Sequence, residues 1–347
     1  MEITFEAIRI LGLSAAASVV AVLLTPLWSS FLYRYRLGKQ IRTEGAPIFA
    51  SLHKQKEGTP TMGGVIIWGT VLVILLLLAL GRAMFPDSFL ADFYFLSRSQ
   101  TLLPLGVLIF AAVLGLIDDI LGILHIGPKG GGLSIAQRLA LFTIVAAVGA
   151  WWFFVKLEWD VLFVPFLGLV NVGWWYIPIF IFIIVATAFS TDLTDGLDGL
   201  AGGVLLIAFT SYGLIAFLQQ RFDLAALCAV IAGALVAFLW FNVHPARFFM
   251  GGTGAMALGI TLGVIAMLTN AALILPLIAF IPMVESLSDI IQVSSKKLRK
   301  GKKIFLSAPI HHHFQALGWP ETKVTERFWL ISGVMAAIGI IIYLLGR

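Results

Sequence analysis

Aspartates and glycine-rich turns recur in this sequence where long apolar segments end. Asp118 and Asp119 close one such segment (GLIDDILG), and Asp192, Asp195 and Asp198 occupy the turn after another (STDLTDGLDGLAGG). Carboxylate oxygens suit Mg²⁺, which usually binds one or two carboxylates while it also holds substrate phosphates. A carboxylate beside hydrocarbon is costly, so it usually faces a bundle interior or a polar cavity and marks function. These five side chains are therefore candidate ligands of a metal ion that also holds a substrate phosphate.

Further polar groups follow other apolar segments. They are Asn242 and His244 before the glycine-rich FMGGTGA, Glu285 and Asp289, the histidines His311, His312 and His313, and the basic stretch KKLRKGKK. Glycine-rich turns and helix N-termini present backbone N–H groups to anions, and Lys, Arg and His supply positive charge for a diphosphate. Together these groups predict phosphoryl-type transfer between a water-soluble diphosphate and a lipid. Mg²⁺ would stabilise the charge on the leaving group.

The elements that must position these residues are membrane helices. The chain has 347 residues, of which 60% are hydrophobic and 12% charged, whereas soluble domains are about 45–50% apolar and about 25% charged. An ordinary soluble enzyme, a disordered chain and a disulfide-stapled secreted domain are excluded, the last because Cys228 is the only cysteine. A crossing helix needs about 20 apolar residues. Ten segments qualify or nearly do, at 10–33, 62–81, 102–124, 135–155, 177–191, 199–217, 225–241, 254–270, 271–293 and 328–345.

Basic residues predict the orientation of these spans. Alternating them places 17 of the 23 Lys and Arg residues on one side, in the loops 34–61, 125–138, 192–198, 242–253 and 294–327. By the positive-inside rule that side is cytoplasmic and both termini lie outside. The external stretch 156–176 does not have the continuous apolar run of a span. We interpret it as an irregular segment or a short hairpin. The sequence predicts an all-α polytopic membrane protein with one domain over 1–347 and a polar active-site cleft on the cytoplasmic face.

Each polar group also has an ordinary structural interpretation. The aspartate pair could be a solvated helix end, the three aspartates a capped turn, and the histidines a surface cluster. The basic stretch could anchor the chain to anionic lipid. The pattern D-x-x-D-G-x-D-G resembles a calcium loop, but the closing Glu of an EF-hand is missing. Since nearly all of these groups fall on the predicted cytoplasmic side, a shared site is favoured. The net charge of +5 is explained by the orientation of the chain in a bilayer and not by nucleic-acid binding.

Several blocks of the sequence resemble one family closely. They are HKQKEGTPTMGG (53–64), GLIDDILG (115–122), DLTDGLDGLAGG (192–203), FNVHPARFFMGGTGAMALG (241–259), ESLSDIIQVS (285–294) and KGKKIFLSAPIHHHFQALGWPETKVTERFW (300–329). These blocks are similar to the bacterial phospho-N-acetylmuramoyl-pentapeptide transferases, within the polyprenyl-phosphate N-acetylhexosamine 1-phosphate transferase superfamily. The block APIHHHF is the most specific for the muramoyl-pentapeptide branch. The resemblance covers essentially the whole chain.

The resemblance implies an activity and its partners. Phospho-MurNAc-pentapeptide would pass from its UDP carrier to undecaprenyl phosphate, giving lipid I and UMP in the first membrane step of peptidoglycan synthesis. Mg²⁺ would be required. The protein would lie in the bacterial cytoplasmic membrane, with its site facing the cytoplasm, and would form a homodimer.

The resemblance also implies roles for particular residues. Asp118 and Asp119 would be the catalytic aspartates near the lipid phosphate and the metal, and either could be base or metal neighbour. His311 and His312 would hold the phosphate or sugar side of the substrate, with acid–base work open to a neutral imidazole. The substrate-binding residues would be Lys56, Thr61, Asp192, Asp195, Asp198, Asn242, Phe249, Gln292, Ala308 and His313, with Phe249 suited to stacking on uracil.

Four positions depart from the family pattern. Where the family has FMGDTG, this chain has Gly252, so the expected metal-binding aspartate is absent. Gly122 and Arg138 stand where lysines are expected, and Asp192 stands where an asparagine is expected. Two alternatives stay open: a related transferase that uses another UDP-N-acetylhexosamine, against which the HHH block argues, and an inactive homologue that binds nucleotide or lipid, which Gly252 and Gly122 motivate. A transporter is disfavoured because no internal repeat is visible and the acids cluster at one face.

Overall fold

The computed structural model describes residues 2–38, 56, 58–128 and 131–347. Most of the predicted loop 34–61, and residues 53–55 and 57 of the block HKQKEG, lie outside the described residues. In chain order the long helices are α1 Glu2–Arg34, α2 Gly64–Met84, α3 Leu102–Ile123, α4 Ile135–Trp151, α5 Tyr176–Thr194, α6 Leu200–Leu218 and α7 Phe222–Asn242. They are followed by α8 Gly252–Leu268, α9 Leu275–Ile278, α10 Phe280–Leu298, α11 Ile310–Ala316 and α12 Glu321–Leu345.

The helical membrane architecture predicted from the sequence is confirmed. Within the described residues, eight helices are long and apolar enough to cross a membrane, namely α1 to α7 and α12. The remaining two predicted spans, 254–270 and 271–293, take other forms. The side on which the termini lie, and the single-domain assignment, stay predictions.

The span predicted at 254–270 is the central helix α8. It has 17 residues, all buried, so it is about 25 Å long at 1.5 Å per residue, against about 30 Å for the hydrocarbon core. A helix enclosed by protein does not need that length, because its neighbours meet the lipid. A Cβ on Gly115 of α3 would overlap the backbone of Gly252. Glycine at 115 therefore lets the end of α3 approach the start of α8.

The span predicted at 271–293 is not continuous. Its two parts, Ala272–Ile278 and α10, meet at an angle of 83°. Pro282 in the first turn of α10 has no N–H to donate to the carbonyl of residue 278, and proline therefore favours a break at this point. The break gives α10 a direction of its own, so that Glu285 and Gln292 face α11 and the segment before it.

Two smaller features complete the framework. In the predicted external stretch, β1 Val161–Val164 and β2 Gly168–Asn171 form an antiparallel hairpin, with Val161 opposite Asn171. Most buried apolar side chains form one core, but a second cluster joins the start of α6 to α10 and α12 through Leu197, Leu200, Ile281, Val324 and Phe328. This second cluster fixes the start of α12 beside the turn between α5 and α6.

Candidate active site

The N-terminus of α8 is held by carboxylates of this chain. Asp119 accepts the N–H of Gly252 at Oδ1 and that of Thr253 at Oδ2, both at 3.0 Å. Asp195 Oδ2 accepts the N–H of Gly251 at 3.0 Å. A negative charge is stabilised at a helix N-terminus, which explains why buried aspartates are tolerated here. The glycine-rich FMGGTGA segment was expected to offer N–H groups to a substrate anion, but these N–H groups donate to Asp119 and Asp195.

Gly251 is required at the turn into α8. Its φ of +74° lies in the left-handed region, where residues with a Cβ are strained. A Cβ at 251 would also lie 2.6 Å from Asp119 Oδ2. Glycine at 251 therefore permits both the turn and the close approach of the carboxylate.

Asp118 is held from the opposite direction. Its Oδ1 accepts the N–H of Leu133 at 2.6 Å, and its Oδ2 accepts a guanidinium N–H of Arg138 at 2.7 Å. The other terminal nitrogen of Arg138 donates to Asp192 Oδ2 at 2.7 Å. Arg138 therefore bridges the end of α3 to the end of α5. Two of the departures from the family pattern, Arg138 and Asp192, are partners of each other.

We call Asp118, Asp119, Asp192 and Asp195 the carboxylate cluster. Arg138 forms ion pairs with two of its members, Asp118 and Asp192. Asp118 is 4% exposed and Asp119 is 8% exposed. Carboxylate oxygens are ligands that Mg²⁺ prefers, so the residue types of the cluster suit this ion.

Position 252 points into the carboxylate cluster. A Cβ on Gly252 would lie 3.3 Å from Asp118 Oδ2 and 3.2 Å from the carbonyl oxygen of Gly115. That space is tight but not closed. A carboxylate at 252 would therefore join Asp118, and with glycine the cluster has one ligand fewer. The open space around Gly122, with nothing within 4 Å of its Cβ position, likewise leaves room for the lysine that the resemblance expected.

A second charged group, which we call the Lys56 cluster, consists of Lys56, Asp198, His244 and Glu321. Lys56 Nζ lies 2.7 Å from Asp198 Oδ1 and 2.5 Å from Glu321 Oε1. His244 Nδ1 lies 2.9 Å from Asp198 Oδ2, and Glu321 Oε1 accepts the N–H of Asp198 at 2.6 Å. The ligand atoms of Asp198, His244 and Glu321 lie within 4.8 Å of one another, close enough for a metal. Because the Lys56 ammonium bonds both carboxylates, a cation is already present here.

Asn242 and Phe249 line the same region as the Lys56 cluster. The Oδ1 atom of Asn242 accepts the N–H of Gly199 at 3.1 Å, and its Nδ2 atom donates to the carbonyl of Phe248 at 2.8 Å. Phe249 is half-buried, and the centre of its ring lies 5.8 Å from Lys56 Nζ. The side chain of Asn242 therefore links two backbone segments by hydrogen bonds. The ring of Phe249 is a surface on which a base could stack.

The histidines divide into different environments. His311 is 1% exposed, and its Nδ1 lies 2.8 Å from Oε2 of the fully buried Glu285. The imidazole of His311 lies against Gly196, where a Cβ would collide with it. His312 Nδ1 lies 2.9 Å from Gln315 Oε1, within the same short helix. His311 thus reaches the turn that carries Asp195 and Asp198, while Glu285 fixes the orientation of its ring.

Gln292, Ala308 and His313 belong to the segment before α11. Gln292 Oε1 accepts the N–H groups of Ile304 and Phe305, and Gln292 Nε2 donates to the Phe305 carbonyl at 2.7 Å. His313 Nδ1 accepts the N–H of Leu306 at 3.2 Å. Ala308 precedes Pro309 at the start of α11. Gln292 and His313 shape this segment through their own bonds, so a role in substrate binding stays a prediction for both, and for Ala308.

The structure brings together most of the aspartates expected from the sequence, but in two groups. Asp118, Asp119 and Asp195 lie at the start of α8, with Thr61 Oγ1 at 3.4 Å from Asp119 Oδ1, and Arg138 links Asp192 to Asp118. Asp198 lies with Lys56 in the other group. Sequence reasoning missed Glu321, because a glutamate after Pro320 in a first helical turn is typical of dipole stabilisation. Its contacts with Lys56 and Asp198 span 265 and 123 residues, and no local pattern indicates them.

Comparisons with known proteins agree with the motifs. The family model described as glycosyl transferase family 4 matches residues 101–270, and the model of phospho-N-acetylmuramoyl-pentapeptide-transferase signature 1 matches residues 56–67. The chain is 41% identical to the phospho-N-acetylmuramoyl-pentapeptide-transferase of Chloroflexus aurantiacus over 344 residues, covering 96% of this chain and 89% of the relative. It is 36% identical to the protein of that name from Clostridium novyi, covering 93% of each chain. With that of Geobacillus sp. it shares 37% identity, covering 93% and 94%.

Proposed function

Because this chain belongs to the phospho-N-acetylmuramoyl-pentapeptide-transferase family, we propose that it transfers phospho-MurNAc-pentapeptide from UDP-MurNAc-pentapeptide to undecaprenyl phosphate. A phosphate oxygen of the lipid attacks the phosphorus next to the sugar. The bond from that phosphorus to the bridging oxygen breaks, UMP leaves with the electron pair, and lipid I is formed. The observation that supports a phosphoryl-transfer site is the carboxylate cluster at the N-terminus of a fully buried helix.

Within the carboxylate cluster, we assign different roles to the two neighbouring aspartates. Both oxygens of Asp119 accept backbone N–H groups of α8, so Asp119 mainly positions the start of that helix. When the acceptor phosphate binds, Asp118 gives up its hydrogen bond with Arg138 and contacts that phosphate instead. Where the phosphate is protonated, Asp118 accepts its proton. Arg138 lies between Asp118 and Asp192 and is placed to contact the phosphate charge.

We propose that Mg²⁺ binds at the same cluster, with Asp118, Asp192 and Asp195 as the residues that would hold it. When bound, it would neutralise charge on the diphosphate and on the departing UMP. Gly252 supplies no side chain to that set. We propose that the missing negative charge is provided in part by Asp192, which stands where the family pattern has asparagine.

The Lys56 cluster is proposed as the nucleotide end of the site. Phe249 offers a ring for stacking on uracil, and Lys56, held by Asp198 and Glu321, offers an N–H donor of fixed position. His311 lies between this end and the carboxylate cluster through its contact with Gly196. It is therefore proposed to hold the phosphate or sugar side of the donor, with His312 beside it at 4.0 Å between ring centres.

The location and assembly of the protein are proposals of the same kind. Bacterial relatives and several membrane-crossing helices support a multi-pass protein of the bacterial cytoplasmic membrane. The excess of basic residues in the loops that carry the site supports a site that faces the cytoplasm. A homodimer is proposed from the family resemblance alone.

The test is the release of UMP by the purified protein in detergent, with UDP-MurNAc-pentapeptide, undecaprenyl phosphate and Mg²⁺. The protein is measured beside Gly252→Asp, and UDP-GlcNAc serves as the alternative donor. We expect the chain as it stands to release UMP only with the muramoyl-pentapeptide donor, and Gly252→Asp to be faster.

Three other outcomes would each change the proposal. Release with UDP-GlcNAc alone would assign another donor. Activity in Gly252→Asp alone would mean that Asp192 does not replace the missing ligand. If neither protein releases UMP but both still bind a uridine nucleotide, the inactive homologue is favoured. The observation that supports this alternative is the absence of a side chain at Gly252.

A further inference from the structure

A large apolar crevice opens between α3, α4 and α5, in the half of the bundle away from the carboxylate cluster. Its volume is about 1290 Å³, and its walls include Leu102, Phe110, Ile144, Trp152 and Phe180. Small-molecule sites usually occupy about 300–1,000 Å³ and place several polar groups to orient the ligand. Here the polar and charged side chains that line the crevice are confined to its mouth: Arg98, Ser99 and Lys156. The crevice therefore suits a long apolar ligand with one polar end.

The basic residues at this end of the bundle differ in their partners. By the span count they number six: Arg9, Arg82, Arg98, Lys156, Arg221 and Arg347. Arg9 pairs with Asp223 at 2.8 Å, Arg221 donates to the carbonyl of Leu268, and Arg347 donates to that of Leu218. Arg82 lies over the ring of Tyr94 at 5.1 Å.

Arg98 and Lys156 are the exceptions. Throughout the described ranges, 2–38, 56, 58–128 and 131–347, neither side chain forms a hydrogen bond or an ion pair with another residue. The ammonium of Lys156 contacts only an aromatic ring there, that of Trp151 at 5.7 Å. Both side chains are exposed, and both line the mouth of the same crevice. Two cations without a counter-charge thus converge on the polar end of an apolar cavity.

The depth of these two residues matches the headgroup region. Trp151 and Trp152, at the end of α4, are 50% and 43% exposed, and exposed tryptophans at the end of a membrane helix mark the interface between hydrocarbon and headgroups. Lys156 ends the irregular turn that continues α4, Trp152–Lys156. Arg98 lies just before α3. The two cations therefore lie where a lipid phosphate would be, and the crevice extends from them into the hydrocarbon.

We propose that this crevice is a binding site for an anionic glycerophospholipid. The phosphate lies between Arg98 and Lys156, and an acyl chain fills the space between α3 and α4. A zwitterionic lipid would bring an ammonium group of its own beside the two cations, and a water-soluble anion would leave the apolar walls unfilled. The site is separate from the transferase site, so it stands or falls independently of the proposed function.

Native mass spectrometry of the detergent-purified protein tests this assignment, with phosphatidylglycerol and phosphatidylcholine of identical acyl chains as probes. We expect the protein to retain phosphatidylglycerol at least about tenfold more strongly. Arg98→Gln with Lys156→Gln should weaken that retention by about 30-fold, at about five- to sixfold per charge. The matched control is Arg82→Gln with Arg347→Gln, which removes the same charge at the same end and should retain phosphatidylglycerol within about twofold.

A second pair of variants tests the apolar part. A Cβ on Gly106, which lines the crevice, or on Gly69 in α2, which does not, meets nothing within 4 Å. Gly106→Phe should lower the retention of both lipids, and Gly69→Phe should not. The charge-conserving pair Arg98→Lys with Lys156→Arg should still prefer phosphatidylglycerol, and thermal unfolding of each variant identifies any that fails to fold.

Some results would overturn the proposal. Equal retention of the two lipids by the unaltered protein would mean that the crevice contacts bulk lipid without selecting a headgroup. Undiminished retention of phosphatidylglycerol in the Arg98→Gln, Lys156→Gln variant would place the headgroup elsewhere. Equal effects of Gly106→Phe and Gly69→Phe would remove the acyl chain from the crevice.

Discussion

The carboxylate cluster and the Lys56 cluster are both built where helices end, but their carboxylates have different partners. In the carboxylate cluster, Asp118 and Asp192 share the guanidinium of Arg138, and Asp119 and Asp195 accept backbone N–H groups at the start of α8. In the Lys56 cluster, Asp198 and Glu321 share the ammonium of Lys56, and His244 Nδ1 lies 2.9 Å from Asp198. Several neighbouring carboxylates can bind a metal ion that also holds phosphates, whereas a lysine held by two carboxylates can present a donor in a fixed position. This difference separates a place for chemistry from a place for recognition.

The largest expected effect tests the carboxylate cluster. Asp118→Asn keeps an oxygen for the Leu133 N–H but removes the negative charge beside Arg138. We expect kcat to fall by about 10²–10⁴-fold, the range for loss of a positioned acid–base group, while the unfolding temperature changes little. The measurement is UMP release under saturating substrates. Asp223→Asn, which removes a carboxylate paired with Arg9 at the other end of the bundle, is the matched control and should keep full activity.

The next effect tests whether the Lys56 cluster acts in recognition. Glu321→Gln weakens the hold on Lys56 and on the Asp198 N–H. Since a hydrogen bond to a charged group contributes about 1.5–3 kcal/mol, we expect KM for the donor to rise about 10- to 100-fold, with kcat within about threefold. Steady-state kinetics with varied donor measures both constants. Glu326→Gln, farther along α12, is the control. A fall in kcat at constant KM would place Glu321 in the chemistry and would break the division between the two clusters.

A related change removes only the ring near Lys56. Phe249→Ala should weaken donor binding by about 1–3 kcal/mol, the range for stacking of an aromatic side chain on a base. Equilibrium binding of UMP, which lacks the sugar and peptide, isolates this contribution. Phe241→Ala, on the neighbouring α7, should leave UMP affinity unchanged. Equal affinity in Phe249→Ala and the unaltered protein would exclude the ring from the pocket.

The smallest expected effect concerns stability. Asp119→Ala removes the acceptor for the Gly252 and Thr253 N–H groups and should lower the free energy of unfolding by about 1–2 kcal/mol, as expected for loss of a helix cap. Asp119→Asn, which keeps one oxygen, should lose less. Thermal unfolding in detergent gives the comparison. An unfolding temperature that is the same for Asp119→Ala and the unaltered protein would leave Asp119 without its positioning role.

The sequence predicted the membrane architecture well because long apolar runs and the charge of loops are local properties. The position of most site aspartates at helix ends was also foreseeable. The central helix α8 was expected to be an ordinary span, since hydropathy does not distinguish burial in lipid from burial in protein. The break before α10 was missed for a similar reason: Pro282 is compatible with a kinked helix as well as with a broken one.

What the sequence determined by itself is the class of protein, the family and the residue types available at the site, because these depend on composition, periodicity and motifs. Only the tertiary structure decided how the polar residues are grouped. It pairs Arg138 with both Asp118 and Asp192, places Glu321 on Lys56, and commits Asp119 to the start of α8. These contacts join residues that are far apart in the chain, and their distances follow from the packing of whole helices. That packing depends on positions such as Gly115, where the absence of a side chain allows two helices to meet.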